Sequence, residues 1–392
     1  MAAASSSGRS GGLLQKVAFT SDSKFLLCCS GCVVKCFSAT TGAPLRLLDG
    51  HSDEVTGVAH NPASPLQAYT ASLDGRILLW DLDEAIVLRT ICVGLPIVAL
   101  AVDPASPDTG FILTGPSDTA LEASVPDYCR EIAQHGRVYS VALRVSGKHA
   151  ARSAALLARA REAAAAAKKG GAAAGKKAAA AAAAKAADAF GSAEMPWPAD
   201  LKLLFKAAKA SALAAGPCGH ERTSVVGAVS GRYLYLHDVA KGTTAEAVCP
   251  SKRQMRCLAI SPAEPLCATG DETGRIHLWH LDGGGAAGGG GGGAAGGGGG
   301  KAPAPRSSEM HWHAQRVAAL GFSPNGAYLY SVGKEGVLVS WQLHTANRSF
   351  IPRLGAPLTA LAIASSGNTA AALGGDNAIR LVDLQANHLK YA

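Results

Sequence analysis

Several features that would announce an activity are missing. Met1 to Gly12 is small and polar and has no apolar core of about 7–15 residues, so no secretory signal is expected. No uncharged run approaches the roughly 18 apolar residues of a membrane span. The purest, Ala178–Ala184, is short and weakly hydrophobic, so no membrane association is expected. With no signal, the ten cysteines read as reduced thiols of an intracellular compartment. Cys28, Cys29, Cys32 and Cys36 cluster, but no Cys or His group follows at zinc-site spacing. They sit in a strand pattern, where cysteine acts as a small apolar residue, and no metal site is expected. Residues 283–300 hold 14 glycines in 18 positions with no Lys-Ser/Thr after them. That is a flexible linker and not a phosphate loop. Without paired carboxylates, metal ligands or an activated nucleophile, neither an enzyme, a cofactor nor a small-molecule substrate is expected.

What is present must first be freed of low-complexity bias. The chain has 392 residues, enough for two ordinary domains or one large repeat domain. Its 48% hydrophobic content and formal charge of +8 both owe much to one stretch. Residues 148–216 contain twelve Lys/Arg and four Asp/Glu, a local net of +8 by subtraction, so the remainder is close to neutral. The basic balance therefore describes an Ala/Lys-rich insertion and not a nucleic-acid groove on the folded domain.

Outside that stretch a unit repeats. Between Asp53 and Leu82 run EVTGVAHNP, LQAYTAS, the turn LDGR and ILLWDL, three β-rich segments separated by Pro, Asn, Asp and Gly. The frame returns at 256–281, 317–343 and 358–384, and in degenerate form at 16–38 and 224–239. Aligned near the end of the third segment, the anchors are Phe37, Trp80, His237, Trp279, Trp341 and Val382. Three adjacent pairs are 43, 42 and 41 apart. The 62-residue gap from Trp279 to Trp341 contains the Gly-rich block. The 157-residue gap from Trp80 to His237 leaves room for one more copy, with strands near 97–102, 110–114 and 137–145. A period of about 40–45 with four strands per unit predicts an all-β, seven-bladed WD-repeat propeller.

Turn chemistry supports this reading. Asp74-Gly75, Glu335-Gly336 and Asp376-Asn377 stand between second and third strands, where residues tolerant of positive φ make tight turns. In the 256–281 copy Thr273 takes the acidic position, which predicts a weaker turn. His51, Ser72, Asp74 and Trp80 invite comparison with a catalytic triad. Their spacing instead matches the structural tetrad of a WD repeat, in which His, a strand hydroxyl, the turn acid and the indole N–H share buried hydrogen bonds. Trp279, Trp341 and Asp376 are the corresponding blade anchors.

The expected organisation is a disordered 1–12, a propeller over 13–392, and insertions at 146–215 and 283–305. Residues 150–190 suit a solvent-exposed, fraying helix. Leu201 to Leu213 has near-helical apolar spacing and reads as a second, amphipathic helix. Lys168, Lys169, Lys176 and Lys177 form a candidate RNA or nuclear-import patch, the alternative being a solvated loop.

Several segments resemble the nucleolar WD repeat-containing protein 75 family, also known as U-three protein 17. They are FTSDSKFLLCCSGCVVKCFS at 19–38, GHSDEVTGVAHNP at 50–62, LQAYTASLDGRILLWD at 66–81, MHWHAQRVAALGFSPNGAYLYSVGKEGVLVSWQL at 310–343 and FIPRLGAPLTALAIASSGN at 350–368. His311-Trp312-His313 and the Phe-Ile-Pro-Arg-Leu-Gly passage at 350–355 are the most distinctive. The resemblance covers the first propeller portion of a family that continues into a second propeller and a C-terminal tail. It implies a scaffold subunit of the UtpA (t-UTP) complex in the nucleolus, supporting RNA polymerase I transcription and early small-subunit processing. The implied partners are other WD-repeat subunits, the 5′ external transcribed spacer of pre-rRNA and snoRNP components. The alternative is a generic WD adaptor, such as a ubiquitin-ligase substrate receptor or signalling scaffold. His311, His313 and Arg353 are candidate partner contacts, with blade packing or capping as the other reading of all three.

Overall fold

The structure, a computed structural model, describes residues 14–115, 136–143, 201–208, 210–218, 223–281, 304–345, 347–351 and 354–391. Its described residues form seven four-stranded antiparallel sheets with no helix. Blade 1 spans 14–49, blade 2 55–92, blade 3 97–206, blade 4 212–248, blade 5 255–311, blade 6 317–351 and blade 7 358–391. The first strand of each blade packs on the first strand of the next, and that of blade 7 returns to that of blade 1.

Burial follows from this packing. The second strands, such as Phe25–Ser30 and Leu266–Asp271, are buried on both faces because a blade covers each side, and they read as nearly continuous apolar runs. The outer strands Pro44–Asp49 and Arg306–His311 are mostly exposed. Gly57 shows how closely blades approach: a Cβ there would lie 2.8 Å from the Cβ of Leu100 in blade 3. Gly75 follows the turn acid at φ +76°, a conformation glycine adopts without steric cost.

Each insertion leaves and re-enters at a hairpin. Thr114 pairs with Arg137, Val141 with Leu201, and His280 with Arg306. The long segments therefore connect paired strands within blades 3 and 5, and the sheets on either side of them remain intact. Two expectations are corrected. Leu201–Lys206 is the outer strand of blade 3 and Ala212–Cys218 the first strand of blade 4, so Leu201 to Leu213 is not an amphipathic helix and the insertion does not extend to 215. Short apolar segments carry no decisive period. The unpaired edge of Arg137–Ala142 decides for strand, and Phe205 joins a core cluster with Phe111, Val138 and Val226. Residues 1–12, 150–190 and 283–300 lie outside the described residues.

The ring closes without a strand shared between its ends, since blades 1 and 7 are each built from contiguous chain. The seam is side-chain packing of Phe19, Leu26 and Cys28 against Ala360, Ala371 and Leu373. Ser365 reinforces it by donating to the Ser21 carbonyl at 2.5 Å and meeting the Ser23 hydroxyl at 2.6 Å.

Candidate functional site

The polar residues singled out by the repeat converge in blade 2, with one substitution of role. Trp80 Nε1–H donates to Thr70 Oγ1 at 2.8 Å, and Thr70 Oγ1 lies 2.7 Å from His51 Nε2. His51 Nδ1 meets Asp74 Oδ2 at 2.9 Å. The consistent assignment has the Thr70 hydroxyl donating to Nε2 and the Nδ1–H donating to the carboxylate. Ser72 is not in this chain: its hydroxyl donates to the Asp53 carbonyl at 3.0 Å and accepts from the Asp74 amide. Burial alone would raise the Asp74 carboxyl, but hydrogen bonds from His51 and Arg76 outweigh it and hold it well below the usual carboxylate range. Thr70, engaged on both sides and fully buried, presents no nucleophile.

Blade 6 repeats the network. Trp341 Nε1–H donates to Ser331 Oγ at 2.8 Å, Ser331 Oγ lies 2.7 Å from His313 Nε2, and His313 Nδ1 contacts the Glu335 carboxylate. This overturns His313 as an exposed partner contact, because the ring is fully buried and engaged at both nitrogens. His311 is exposed, while Arg353 lies outside the described residues, as do Lys168, Lys169, Lys176 and Lys177.

Blade 5 departs from the pattern. Trp279 Nε1–H still donates to a hydroxyl, Thr269 Oγ1 at 2.9 Å. The acid, however, is Asp271, whose Oδ1 accepts from the Thr273 amide and hydroxyl, both at 2.8 Å, and from the Arg275 amide at 3.0 Å. The turn predicted to be weak at Thr273 is thus held by a carboxylate two residues earlier. The position of His51 is taken by Cys249 and Ser251, and a buried histidine enters from the third strand as His277. Burial would lower the His277 imidazole, but hydrogen bonds with Asp271 and Cys249 outweigh it and push it up to about 9. In blade 7 Asp376 instead meets Arg380, whose Nη1 donates to it at 3.0 Å.

Sequence reasoning missed the hydroxyl, yet a signal existed. Thr70, Thr269 and Ser331 each stand ten residues before their tryptophan. It also missed Cys249, Ser251, Asp271 and His277, whose spacing fits no motif.

The outward surface is different in kind. Trp312 and Phe350 pack ring against ring, tilted by 31° with centroids 5.1 Å apart, and Phe350 is 52% exposed. A groove of about 630 Å³ between blades 6 and 7 is lined by Tyr328, Gln342, Arg348, Asn368 and Asn387 among others, polar groups with no acid–base pair among them.

Comparison with known proteins places this architecture. The family model for the first β-propeller of WD repeat-containing protein 75 matches residues 18–126 and 306–377, and that for the WD domain, G-beta repeat, matches 248–280. Human WD repeat-containing protein 75 is 26% identical over 376 residues, 94% of this chain and 36% of the human protein. The chain belongs to the WD repeat-containing protein 75 family. It spans about a third of the length of the curated relatives that match it end to end. Two fungal proteins match shorter stretches more closely. They are U3 small nucleolar RNA-associated protein 17 of Schizosaccharomyces pombe, 45% identical over 78 residues (19% of this chain, 10% of that protein), and NET1-associated nuclear protein 1 of Saccharomyces cerevisiae, 47% identical over 45 residues (12% and 5%). The first segment matched by the first-propeller model runs from blade 1 into blade 3, and the second from the outer strand of blade 5 into blade 7. The networks of blades 2 and 6 lie inside them.

Proposed function

We propose that this chain is a non-catalytic scaffold of early small-subunit ribosome assembly, acting in the nucleolus among other WD-repeat subunits of the UtpA complex. In this reading it supports RNA polymerase I transcription and the first processing of pre-rRNA. The observation that carries it is the match to WD repeat-containing protein 75 over 94% of the chain. The fission-yeast relative whose name associates it with U3 small nucleolar RNA supports it. The arrangement of polar groups agrees with a scaffold: the histidines and acids of blades 2 and 6 are bonded to each other, while outer strands such as Pro44–Asp49 and Arg306–His311 are mostly exposed. His311, Arg353 and the lysine pairs at 168–169 and 176–177 are the contacts assigned to partner protein or RNA phosphate.

The test is affinity purification of the tagged full chain from nuclear extract, with crosslinking. Enrichment of U3 RNA, 5′ external transcribed spacer and WD-repeat subunits is expected. Recovery of cullin-type ligase components without these RNAs would replace this reading by that of a ligase adaptor. Crosslinks confined to 148–200 would move the contact from the rim to the insertion.

A further inference from the structure

The histidines of blades 2 and 6 have both ring nitrogens engaged at short range. His277 does not. It is fully buried, and its Nδ1 has no hydrogen-bond partner among the described residues. Its Nε2 faces two groups at once, Cys249 Sγ at 3.4 Å and Asp271 Oδ2 at 3.5 Å. A single Nε2–H cannot serve both well, and a fully buried imidazole left so poorly bonded is costly. A catalytic relay is also excluded by the geometry, because a relay sets the thiol and the acid on opposite ring nitrogens. Here both address the same one.

Convergence on one nitrogen is the arrangement of a metal centre. Ser251 borders the group: its hydroxyl donates to Asp271 Oδ2 at 2.8 Å and lies 3.1 Å from Cys249 Sγ. The thiol, imidazole and carboxylate atoms all lie within 4.8 Å of one another, in three buried residues. A tetrahedral zinc with bonds of about 2.0–2.3 Å has ligand–ligand edges of about 3.3–3.6 Å, and the 3.4 and 3.5 Å separations fall in that range. The carboxylate is oriented as ligands usually are from outside the centre: its Oδ1 is fixed by Thr273 and Arg275, which leaves Oδ2 facing the group. A mixed sulfur, nitrogen and oxygen set suits zinc better than the hard cations calcium or magnesium.

We propose that Cys249, Asp271 and His277 form a divalent zinc-type site in blade 5, with Ser251 beside it holding the Asp271 carboxylate. On binding, the Cys249 thiol and the His277 Nε2–H each release a proton to solvent, so that the thiolate, the neutral imidazole and the carboxylate ligate. The site joins the loop between blades 4 and 5 to the second and third strands of blade 5, the connection that the His51 network makes in blade 2.

The full chain, unfolded with chelator and refolded with zinc or cobalt, tests this. The wild type is expected to keep about one metal per chain through gel filtration. Cobalt should give a thiolate-to-metal charge-transfer band, and zinc should raise the thermal midpoint. Cys249→Ser is expected to lose the band and the metal while its circular dichroism remains that of a strand protein. Should that variant fail to fold, His277→Gln reads the same loss. Folded wild type retaining less than about a tenth of an equivalent, or Cys249→Ser retaining wild-type metal, overturns the proposal.

Discussion

Thr70 and Ser72 lie two residues apart on one strand and so point to the same face. Trp80 stands opposite Ala68, so its indole reaches the diagonal neighbour Thr70, and Ser72 lies one pair too far. Trp279 opposite Cys267 and Trp341 opposite Leu329 select Thr269 and Ser331 by the same offset. Thr70→Ala leaves the Trp80 N–H and His51 Nε2 unpartnered, and should cost about 1–3 kcal/mol for each buried group stranded. Ser72→Ala should cost less, and Thr70→Ser should recover most of the loss. Urea unfolding of the three variants checks the order; Ser72→Ala proving the more damaging would reverse the assignment. Asp74 adds a pH dependence. Its folded carboxyl titrates below the unfolded one, so its contribution is complete above about 3.9 and is lost as pH falls towards the folded value. The stability difference between wild type and Asp74→Asn should therefore be level near pH 6 and shrink below about pH 4. A difference unchanged down to pH 3 would contradict this.

At the scale of strands and blades, burial on both faces governs both chemistry and tolerance. The second strand of blade 1 carries Cys28 and Cys29, and burial pushes the Cys29 thiol up to about 12. Cys257, in the first strand of blade 5, is likewise raised to about 12, chiefly by burial. Only thiolates alkylate readily. A short iodoacetamide pulse at pH 8 should label half-buried Cys32 first, Cys92 more slowly because burial raises its thiol, and Cys28, Cys29, Cys257 and Cys267 only after unfolding. Equal labelling of Cys29 in native and unfolded protein would show that the strand is not closed. Between blades, Gly57→Ala forces a Cβ against Leu100 and should destabilise by about 1–3 kcal/mol through overpacking. The same change at Gly42, where a Cβ meets nothing within 4 Å, should cost only the strain of its positive φ. Thermal denaturation compares them.

For the whole molecule, the insertions and the ring are expected to be separable. Val141 and Leu201 are directly paired, so a four- to six-residue turn of the usual hairpin kind can replace 144–199. That deletion should leave the thermal midpoint within about 2 °C, because loop closure depends only weakly on length. It should also strip most of the chain's positive charge. Loss of cooperative unfolding would show that the insertion packs on the ring. Blades 7 and 1 meet through side-chain packing among the described residues, so the seam between them is expected to open first. Leu373→Ala, at that seam, should cost about 2–5 kcal/mol and raise hydrogen exchange in blades 1 and 7 ahead of blade 4.

The sequence by itself determined the repeat, the seven units, the turn acids Asp74, Glu335 and Asp376 and the tryptophan positions, because these depend on period and on local turn chemistry. It also carried enough of the family pattern to point to WD repeat-containing protein 75. What only the tertiary structure decided depends on pairing between distant segments. The edge of Arg137–Ala142 made Leu201–Lys206 a strand. The diagonal from each tryptophan chose Thr70 over Ser72, and full burial drew His313 inward from the rim. The meeting of Cys249, Asp271 and His277 is of the same kind. They stand on a loop and two strands, at spacings that no motif records, and only the folding of blade 5 against the preceding loop brings their donor atoms together.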